Sequence, residues 1–523
     1  MHPYPGSFHR IKSLNQAHLQ GKIQKFGCFA GKCGTVRWSV LFSAKDFHLG
    51  YVPLGSISMT KAIYKMIYWV VVSVLVLVAA GSGVGQSVKP PLLQDISVPS
   101  QTYGPVASGT PLIQKTGSSS PVPTMNAVRT LFPALAEVSI PGYSGILVES
   151  LEGNVVLESN SSFTFNPASN VKVATAYAVL KTFGPEFRFM TNVYTDGAID
   201  RNTGTLNGNL YVSGKDPMFG YEHAVTIANE LNKLGVRSVT GDLIVTDNFV
   251  MNYSGSSLAS GQALFAAMDS SRRSAAATRV WLNHLSNAGK FGQVNGIPGV
   301  SFSGAVYVQP IPSNLQMLFT HESTQIKEII KATLCYSNNF LAERLGDMLG
   351  GPFAVSRIVQ LNAGIQPQEF SLQTSSGLGY NRVTPNAMMR LLRTLRGDLA
   401  KYKMTFADIM PVAGVDKGTL VGRFDTDFAR GSVVGKTGTL GNTDAGVSAL
   451  SGEINTRNGK LLFVIFNQRG SVPRFRAFQN YFVSLVQSQF GGAVAMPYDA
   501  QSLDSRLART RISYPDGRKY GEE

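Results

Sequence analysis

The pattern of apolar and polar positions divides the chain into segments of different period. Gly145-Ile146-Leu147-Val148-Glu149 and Val155-Val156-Leu157-Glu158, on either side of the turn residues Glu152-Gly153-Asn154, predict a β-hairpin. Phe165-Asn166-Pro167-Ala168-Ser169-Asn170-Val171-Lys172, followed by the apolar run 173–180, predicts an extended approach and a proline-marked helix with a serine in its first turn. Over 187–319 short β-like runs (209–213, 242–246, 305–309) alternate with Gly- and Asn-rich turns, and one helical stretch is expected at 224–234. Helical spacing returns over 326–349 through Ile329, Ile330, Leu334, Phe340, Leu341, Leu345 and Leu349. Thr384-Pro385 caps and starts another helix, strands are expected over 431–440, 446–453 and 460–467, and a helix over 474–489 closes the pattern. After Met496 the chain is polar and expected to fray.

The same shifts in texture set the expected domains. Residues 1–58 are basic, nearly free of acids and without period, which marks a non-structural N-terminal extension. Lys61 and Lys65 precede the apolar run 66–80, and small residues follow it; 59–86 therefore reads as a signal peptide or membrane anchor, and the protein as exported. Membrane contact is expected only through that segment, residues 61–80. Residues 87–123, rich in Pro, Ser and Gly, form a linker. Segments 124–187 and 320–497 make one α/β (α+β) domain, a mixed sheet with flanking helices. A mainly β accessory domain at 188–319 interrupts it, and 498–523 is a polar tail.

Composition changes this picture little. The 523 residues are 44% hydrophobic and 15% charged, ordinary for globular domains. The net charge of +15 sits largely near the two ends, with no central basic run interleaved with aromatics, so no nucleic-acid partner is expected. Seven scattered histidines and the three cysteines Cys28, Cys33 and Cys335 form no metal-ligand spacing, so neither a metal nor a cofactor is expected. Cys335 reads as a small buried residue on a helix.

The chemistry lies in three short motifs. Ser169 and Lys172, three apart, share one helix face, where an amine can take the proton from a hydroxyl that is otherwise a poor nucleophile. Ser337-Asn338-Asn339 lies in the helical region, and Lys436-Thr437-Gly438-Thr439 ends a β-like run. Single matches carry little weight: Ser58-Met59-Thr60-Lys61 and Lys115-Thr116-Gly117 repeat two of the patterns at the export signal and in the linker. The ordered triple is specific to serine β-lactamases and penicillin-binding proteins. In that scheme Lys172 is a base whose pKa is depressed by burial and by the nearby cation Lys436. Ser337 is a proton relay, and Asn339 donates to and accepts from a substrate amide. Gly438 lets a peptide lie along the strand, Lys436 with the Thr437 and Thr439 hydroxyls suits a terminal carboxylate, and the backbone N–H groups of Ser169 and Thr439 form the oxyanion hole.

Over residues 124–490 the chain resembles the low-molecular-mass penicillin-binding proteins of the D-alanyl-D-alanine carboxypeptidase/endopeptidase family. The resemblance rests on 165–172, Gly241-Asp242-Leu243, His321-Glu322-Ser323, 337–343, Ser376-Gly377-Leu378, 411–416 and 435–440. It departs at Thr374-Ser375, where the family has an aspartate and a glycine, and at Lys417, an extra residue before Gly418. It implies a transpeptidase/β-lactamase-like fold and hydrolysis of peptidoglycan stem peptides through an acyl-serine. β-Lactams are the expected covalent inhibitors, and Asp216, in Gly214-Lys215-Asp216-Pro217, would contact the peptide side chain. The rival readings are a serine β-lactamase, for which Glu369-Phe370-Ser371-Leu372-Gln373 is the weak signal, and a non-catalytic wall-binding module of the same fold.

Overall fold

The computed structural model describes residues 113–114, 126–293 and 296–515. The N-terminal extension, the export segment, most of the linker and the two decoy motifs lie outside the described residues. A seven-stranded sheet organises the serine-bearing half, in the order Ile113–Gln114, Arg129–Thr130, Val155–Ser159, Tyr143–Ser150, Gly459–Gln468, Val447–Thr456, Val433–Leu440. Every neighbouring pair is antiparallel, so the mixed pairing expected here belongs to another sheet. Two residues of the linker, Ile113–Gln114, form one edge of this sheet.

Period-two alternation assigns the two faces. Leu461, Phe463 and Ile465 pack with Phe478, Phe482, Val483 and Val486 of the closing helix Val472–Gln489. Their neighbours Leu462, Val464 and Phe466 face the opposite way, toward Tyr177 of the serine helix Val171–Phe183 and Leu391 and Leu392 of Pro385–Lys401. The serine helix is buried at every position from Val171 to Leu180, because it runs between this face and three further helices. An all-round apolar helix is what such a position requires.

The helical spacing read over 326–349 belongs to two helices. Ile326–Tyr336 stops at Ser337, which takes a left-handed conformation (φ 54°), and Asn338 caps Asn339–Asp347 by accepting the Leu341 N–H at 3.1 Å. Apolar spacing runs through the break because both helices bury the same side. The signal lay in Ser337-Asn338-Asn339, three residues suited to caps and turns.

Five strands between residues 190 and 322 and one from the tail form a six-stranded sheet in the order Val306–Val308, Leu243–Val245, Leu210–Gly214, Met190–Thr195, Gln316–Glu322, Arg511–Ser513, beside a four-stranded one. Its first three strands pair in parallel, and this sheet is the mixed one. Parallel pairing needs crossovers, and helices Tyr221–Lys233 and Ser257–Met268 supply them. With Ala275–Asn287 the stretch holds three helices where one was expected, so it is not mainly β. Of the two missed helices, Ser257–Met268 is rich in Ala and Ser with a weak apolar stripe, whereas Ala275–Asn287 buries Ala277, Trp281 and Leu285 four residues apart. Their serine caps, Ser256 on the Ala259 N–H and Ser274 on the Ala277 N–H, were the readable sign.

The tail expected to fray carries regular structure at 503–507 and 511–513. Helix Leu503–Leu507 leads to strand Arg511–Ser513, which pairs with Thr320–Glu322 at an otherwise open sheet edge. Arg506 forms a buried ion pair with Glu328 and donates to the Asp408 carbonyl at 2.9 Å. Arg506→Ala strands the Glu328 carboxylate and should cost about 3–5 kcal/mol in urea unfolding; a change below about 1 kcal/mol would show the tail to be dispensable.

Candidate active site

The nucleophile turn is held by its own asparagine. Asn166 Nδ2 donates to the Gly379 carbonyl and to Asp444 Oδ2, both at 2.8 Å, while Oδ1 accepts the Ala168 N–H at 3.0 Å. Ala168 is left-handed (φ 47°) and buried, at the start of a 3-10 turn over Ala168–Asn170 that presents Ser169. Two glycines permit this crowding. A Cβ on Gly438 would lie 2.6 Å from the Pro167 carbonyl oxygen, and one on Gly377 (φ 89°) would collide with that of Ala168. Gly438 therefore lets the strand Val433–Leu440 approach the nucleophile turn itself, not only a bound peptide.

Lys172 is 1% exposed. Its Nζ lies 3.0 Å from Ser169 Oγ, 2.7 Å from Asn339 Oδ1 and 2.6 Å from the Ser376 carbonyl oxygen. A neutral amine has two N–H donors and one lone pair. The two carbonyl oxygens use both donors, and the lone pair is left for the Ser169 hydroxyl. Burial pushes the Lys172 amine down to about 8, with Glu343 opposing the shift. On the order of one molecule in ten then holds a free amine at neutral pH. Burial was one of the two expected causes; the other, repulsion between the two amines, is seen at Lys436. That lysine is wholly buried and is held well below the usual amine range, by burial first and Lys172 second.

The second serine–lysine pair mirrors the first. Lys436 Nζ donates to Ser337 Oγ at 2.9 Å and to the Thr437 carbonyl at 2.7 Å. Asn339 Oδ1 is committed to Lys172, so its NH₂ alone is left for a substrate carbonyl, where both donation and acceptance were expected. Ser169, Ser337, Thr437 and Thr439 line one cavity of about 590 Å³. The strand Val433–Leu440 is the sheet's last, and its outer edge is covered only at its start, where Ala413 N–H donates to Val433 O and Gly435 N–H to Pro411 O. By the two-residue alternation, the backbone N–H groups of Thr437 and Thr439 and the Thr439 C=O also face outward, while the Thr437 C=O already accepts from Lys436 Nζ.

Several supporting residues escaped the motif reading. Glu343 accepts the Ser375 and Ser376 N–H groups at 3.1 and 3.0 Å and so aims the Ser376 carbonyl at Lys172. Asn170 donates to the Lys436 carbonyl at 3.1 Å and accepts from Ser451 Oγ. The unexpected Thr374 closes the 374–378 turn, accepting the Gly377 N–H at 3.0 Å and donating to the Leu378 carbonyl at 2.8 Å. Asp416 binds Lys331 at 2.6 Å, and past the extra Lys417 the Thr419 N–H donates to the Cys335 carbonyl at 2.9 Å, fixing the helix end that carries Ser337. Cys335 is buried, and burial raises its thiol to about 11.

Asp216 is not among the side chains around Ser169. It lines a separate cavity of about 320 Å³ with Glu222, His223 and His284. It is 2% exposed, accepts the Met218 N–H at 2.9 Å, and is pushed up to about 7 by burial. Contact with the site is indirect: Tyr253 donates to Met218 Sδ and its ring packs on Phe340, beside Asn339. Glu369, the carboxylate a lactamase reading would use, accepts the Gln366 N–H at 3.2 Å and lies 4.0 Å from Arg390, engaged in a 3-10 turn. Among the described residues no group of three or more His, Cys, Asp or Glu side chains is arranged to hold a metal ion.

A half-buried serine bonded to a buried amine, with a second serine–lysine pair beside it, is an arrangement whose chemistry suits acyl transfer through serine. The profile of the D-Ala-D-Ala carboxypeptidase 3 (S13) family matches residues 133–261 and 268–486, most of the chain, and the protein belongs to that family. It is a serine-type peptidase. The D-alanyl-D-alanine carboxypeptidase of Actinomadura sp. (strain R39) is 25% identical over 433 residues, covering 64% of this chain and 79% of that one. Carboxypeptidase DacB of Mycolicibacterium smegmatis is 26% identical over 408 residues, covering 71% and 86%. The penicillin G-acylated predatory endopeptidase Bd3459 of Bdellovibrio bacteriovorus, in complex with immunity protein Bd3460, superposes with a TM-score of 0.59 at 22% identity, covering 68% of this chain and 95% of that one. This last likeness speaks for the fold.

Gly377→Ala tests how tightly the nucleophile turn is packed. The strained backbone and the clash with Ala168 should cost about 1–3 kcal/mol in urea unfolding. A variant as stable as the parent would show that the turn relaxes freely.

Proposed function

We propose that Ser169 is the nucleophile of a D-Ala-D-Ala carboxypeptidase acting on peptidoglycan stem peptides, with Lys172 as its base. The observation that supports this most is the saturation of the Lys172 amine by two carbonyl oxygens, with its remaining valence toward Ser169 Oγ. Ser169 Oγ attacks the carbonyl carbon of the penultimate D-Ala as its proton passes to Lys172. The oxyanion is held by the Ser169 and Thr439 backbone N–H groups. The tetrahedral intermediate collapses when the scissile nitrogen takes a proton through Ser337, and D-Ala leaves. Water then attacks the acyl-serine, again with Lys172 as base, and the shortened peptide is released. The substrate backbone lies along the open edge at Thr437 and Thr439, and the Asn339 NH₂ holds its amide carbonyl.

If the scissile amide belongs to a cross-link, the same steps make the enzyme an endopeptidase. A β-lactam enters as a substrate mimic and stays on Ser169. Asp216, outside the Ser169 cavity, would meet only a substrate side chain long enough to reach past Met218 and Tyr253. Residues 188–319 with the strand Arg511–Ser513 form an accessory domain. The enzyme works outside the cytoplasm, delivered by 59–86; among the described residues no helix is long and apolar enough to cross a membrane.

Fluorescent penicillin should label the parent protein and leave Ser169→Ala unlabelled, and the parent should release D-Ala from a pentapeptide. Label that persists on Ser169→Ala, or a parent that releases no D-Ala, refutes the assignment. The pH profile gives a second check. The reactive amine is the neutral form, so acylation should rise with pH to a plateau with its midpoint near 8. Glu343 favours the ammonium, so Glu343→Gln should move that midpoint to lower pH. A midpoint that stays or rises would remove Glu343 from the charge balance at Lys172.

A further inference from the structure

A row of polar side chains crosses the sheet beneath the closing helix and ends at Thr439. The strand registers pair Thr439 with Ser448, Ser448 with Asn467, and Asn467 with Ser144, so the four stand side by side on neighbouring strands. The next row on that face is Thr437, Leu450, Ile465 and Ile146, and its last three members lie in the apolar core with the closing helix. Ser448, Asn467 and Ser144 are just as deeply buried, and none belongs to a motif. Apolar side chains would fill these places without the desolvation that a polar group must offset by bonding.

Gln479, on the closing helix, supplies the bonds. It is wholly buried; its Nε2 donates to Ser448 Oγ at 3.1 Å and to Asn467 Oδ1 at 2.9 Å, and its Oε1 accepts from Arg423 Nη2 at 3.0 Å. A guanidinium can only donate, so Arg423 decides which end of the amide faces the sheet. The direction is passed along the row: Asn467 Nδ2 donates to Ser144 Oγ at 2.7 Å, and Ser144 Oγ to the Pro141 carbonyl at 2.8 Å. One turn earlier on the same helix, Arg476 donates to Thr439 Oγ1 at 3.0 Å. Arg476 and Gln479, three apart, thus hold the two members of one cross-strand pair.

That pair is where the ladder is weakest. Because the Thr439 N–H faces outward, Thr439 and Ser448 form a non-hydrogen-bonded pair, joined by no ladder bond of their own and with their side chains close together. Thr439 is exposed and next to last in its strand, where opening begins. A donor to an oxyanion must nevertheless be in place before the charge develops. A helix that grips both side chains of the pair supplies the hold that the ladder omits.

We propose that Gln479 is a positioning residue for the Thr439 backbone N–H, gripping the strand end through Ser448 so that this donor meets the developing oxyanion. The proposal rests on the acyl-transfer reading of Ser169 and on Thr439 as an oxyanion donor. The competing explanation is that the polar row only ties the closing helix to the sheet. In that case loss of Gln479 would affect activity no more than a destabilising change in the apolar row beside it.

The test is first-turnover acylation by penicillin G, with the infrared band of the acyl-ester carbonyl as a second readout. In the parent that band should lie at lower frequency than in the unfolded acyl-enzyme, because the oxyanion donors polarise the carbonyl. Gln479→Leu should slow acylation about 5- to 50-fold, short of the roughly 100- to 1,000-fold that follows deletion of an oxyanion donor. The dissociation constant of the complex that precedes acylation should change by less than about threefold, and the band should move toward its unfolded position. Ser448→Ala should move rate and band in the same direction, and it decides the matter where Gln479→Leu does not fold. Ile465→Ala, in the apolar row, should lower Tm and leave both readouts at the parent's values. A folded Gln479→Leu or Ser448→Ala that keeps the parent's rate or band, or an Ile465→Ala that shows the same losses, overturns this proposal alone. A parent band at the unfolded position removes the oxyanion reading, and a parent that penicillin does not label at Ser169 removes acyl transfer; either takes the role of Gln479 with it.

Discussion

An amine buried in an apolar helix is the constraint on which the rest of the site depends. Lys172 sits among side chains that are themselves buried on all sides, where an ammonium costs several kcal/mol unless it is fully compensated. The fold supplies two carbonyl oxygens and a hydroxyl, which suit a neutral amine, and keeps the one nearby carboxylate, Glu343, on the backbone N–H groups of Ser375 and Ser376. The carbonyls come from far along the chain. The loop bearing Ser376 must press Gly377 onto Ala168, and the break at Ser337 must turn Asn339 inward. Motifs that read as separate in the sequence are one hydrogen-bonded object.

Much of the fold was legible because its signals are local. The hairpin, the three long strands and the helices after Ser169 and Thr384 follow from period and punctuation, and the structure moves the strand ends only by a few residues. What failed had no local signal or a misleading one. Helix Ser257–Met268 is mostly small residues, so its apolar stripe blurs, and the surrounding β texture masked it. The tail is polar in composition, yet Ile512 and Tyr514 pack against the accessory core and Arg506 meets a buried carboxylate. Composition cannot reveal a docking edge that another part of the chain leaves open.

The site was legible in residue types and less so in causes. Ser169, Lys172, Ser337, Asn339, Lys436, Thr437 and Thr439 do come together. But Asn339 is half used before any substrate arrives, and the Glu343 carboxylate that holds the Ser375 and Ser376 N–H groups has no place in the three motifs. Arg423 and Arg476 lay beyond reach because nothing in the sequence ties the 418–430 loop or the closing helix to the K-T-G strand. Only in the folded chain do both line one cavity with Thr439.

The sheet order explains why the strand must carry a glycine where it does. The strand Val433–Leu440 is held on one side by its register with Val447–Thr456, and across its face Gly438 lies against Pro167, at the start of the nucleophile turn. The spacing between the strand and the nucleophile turn is thus limited by the Pro167 carbonyl and the small Ala168 and Ala449 side chains beside Gly438. A pair of N–H groups fixed in this way needs no rearrangement when negative charge develops on a substrate oxygen, which is the condition for electrostatic preorganisation. A side chain at 438 would widen that spacing before it blocked any ligand, and for this reason Gly438 belongs to the proposed oxyanion geometry as much as to peptide binding.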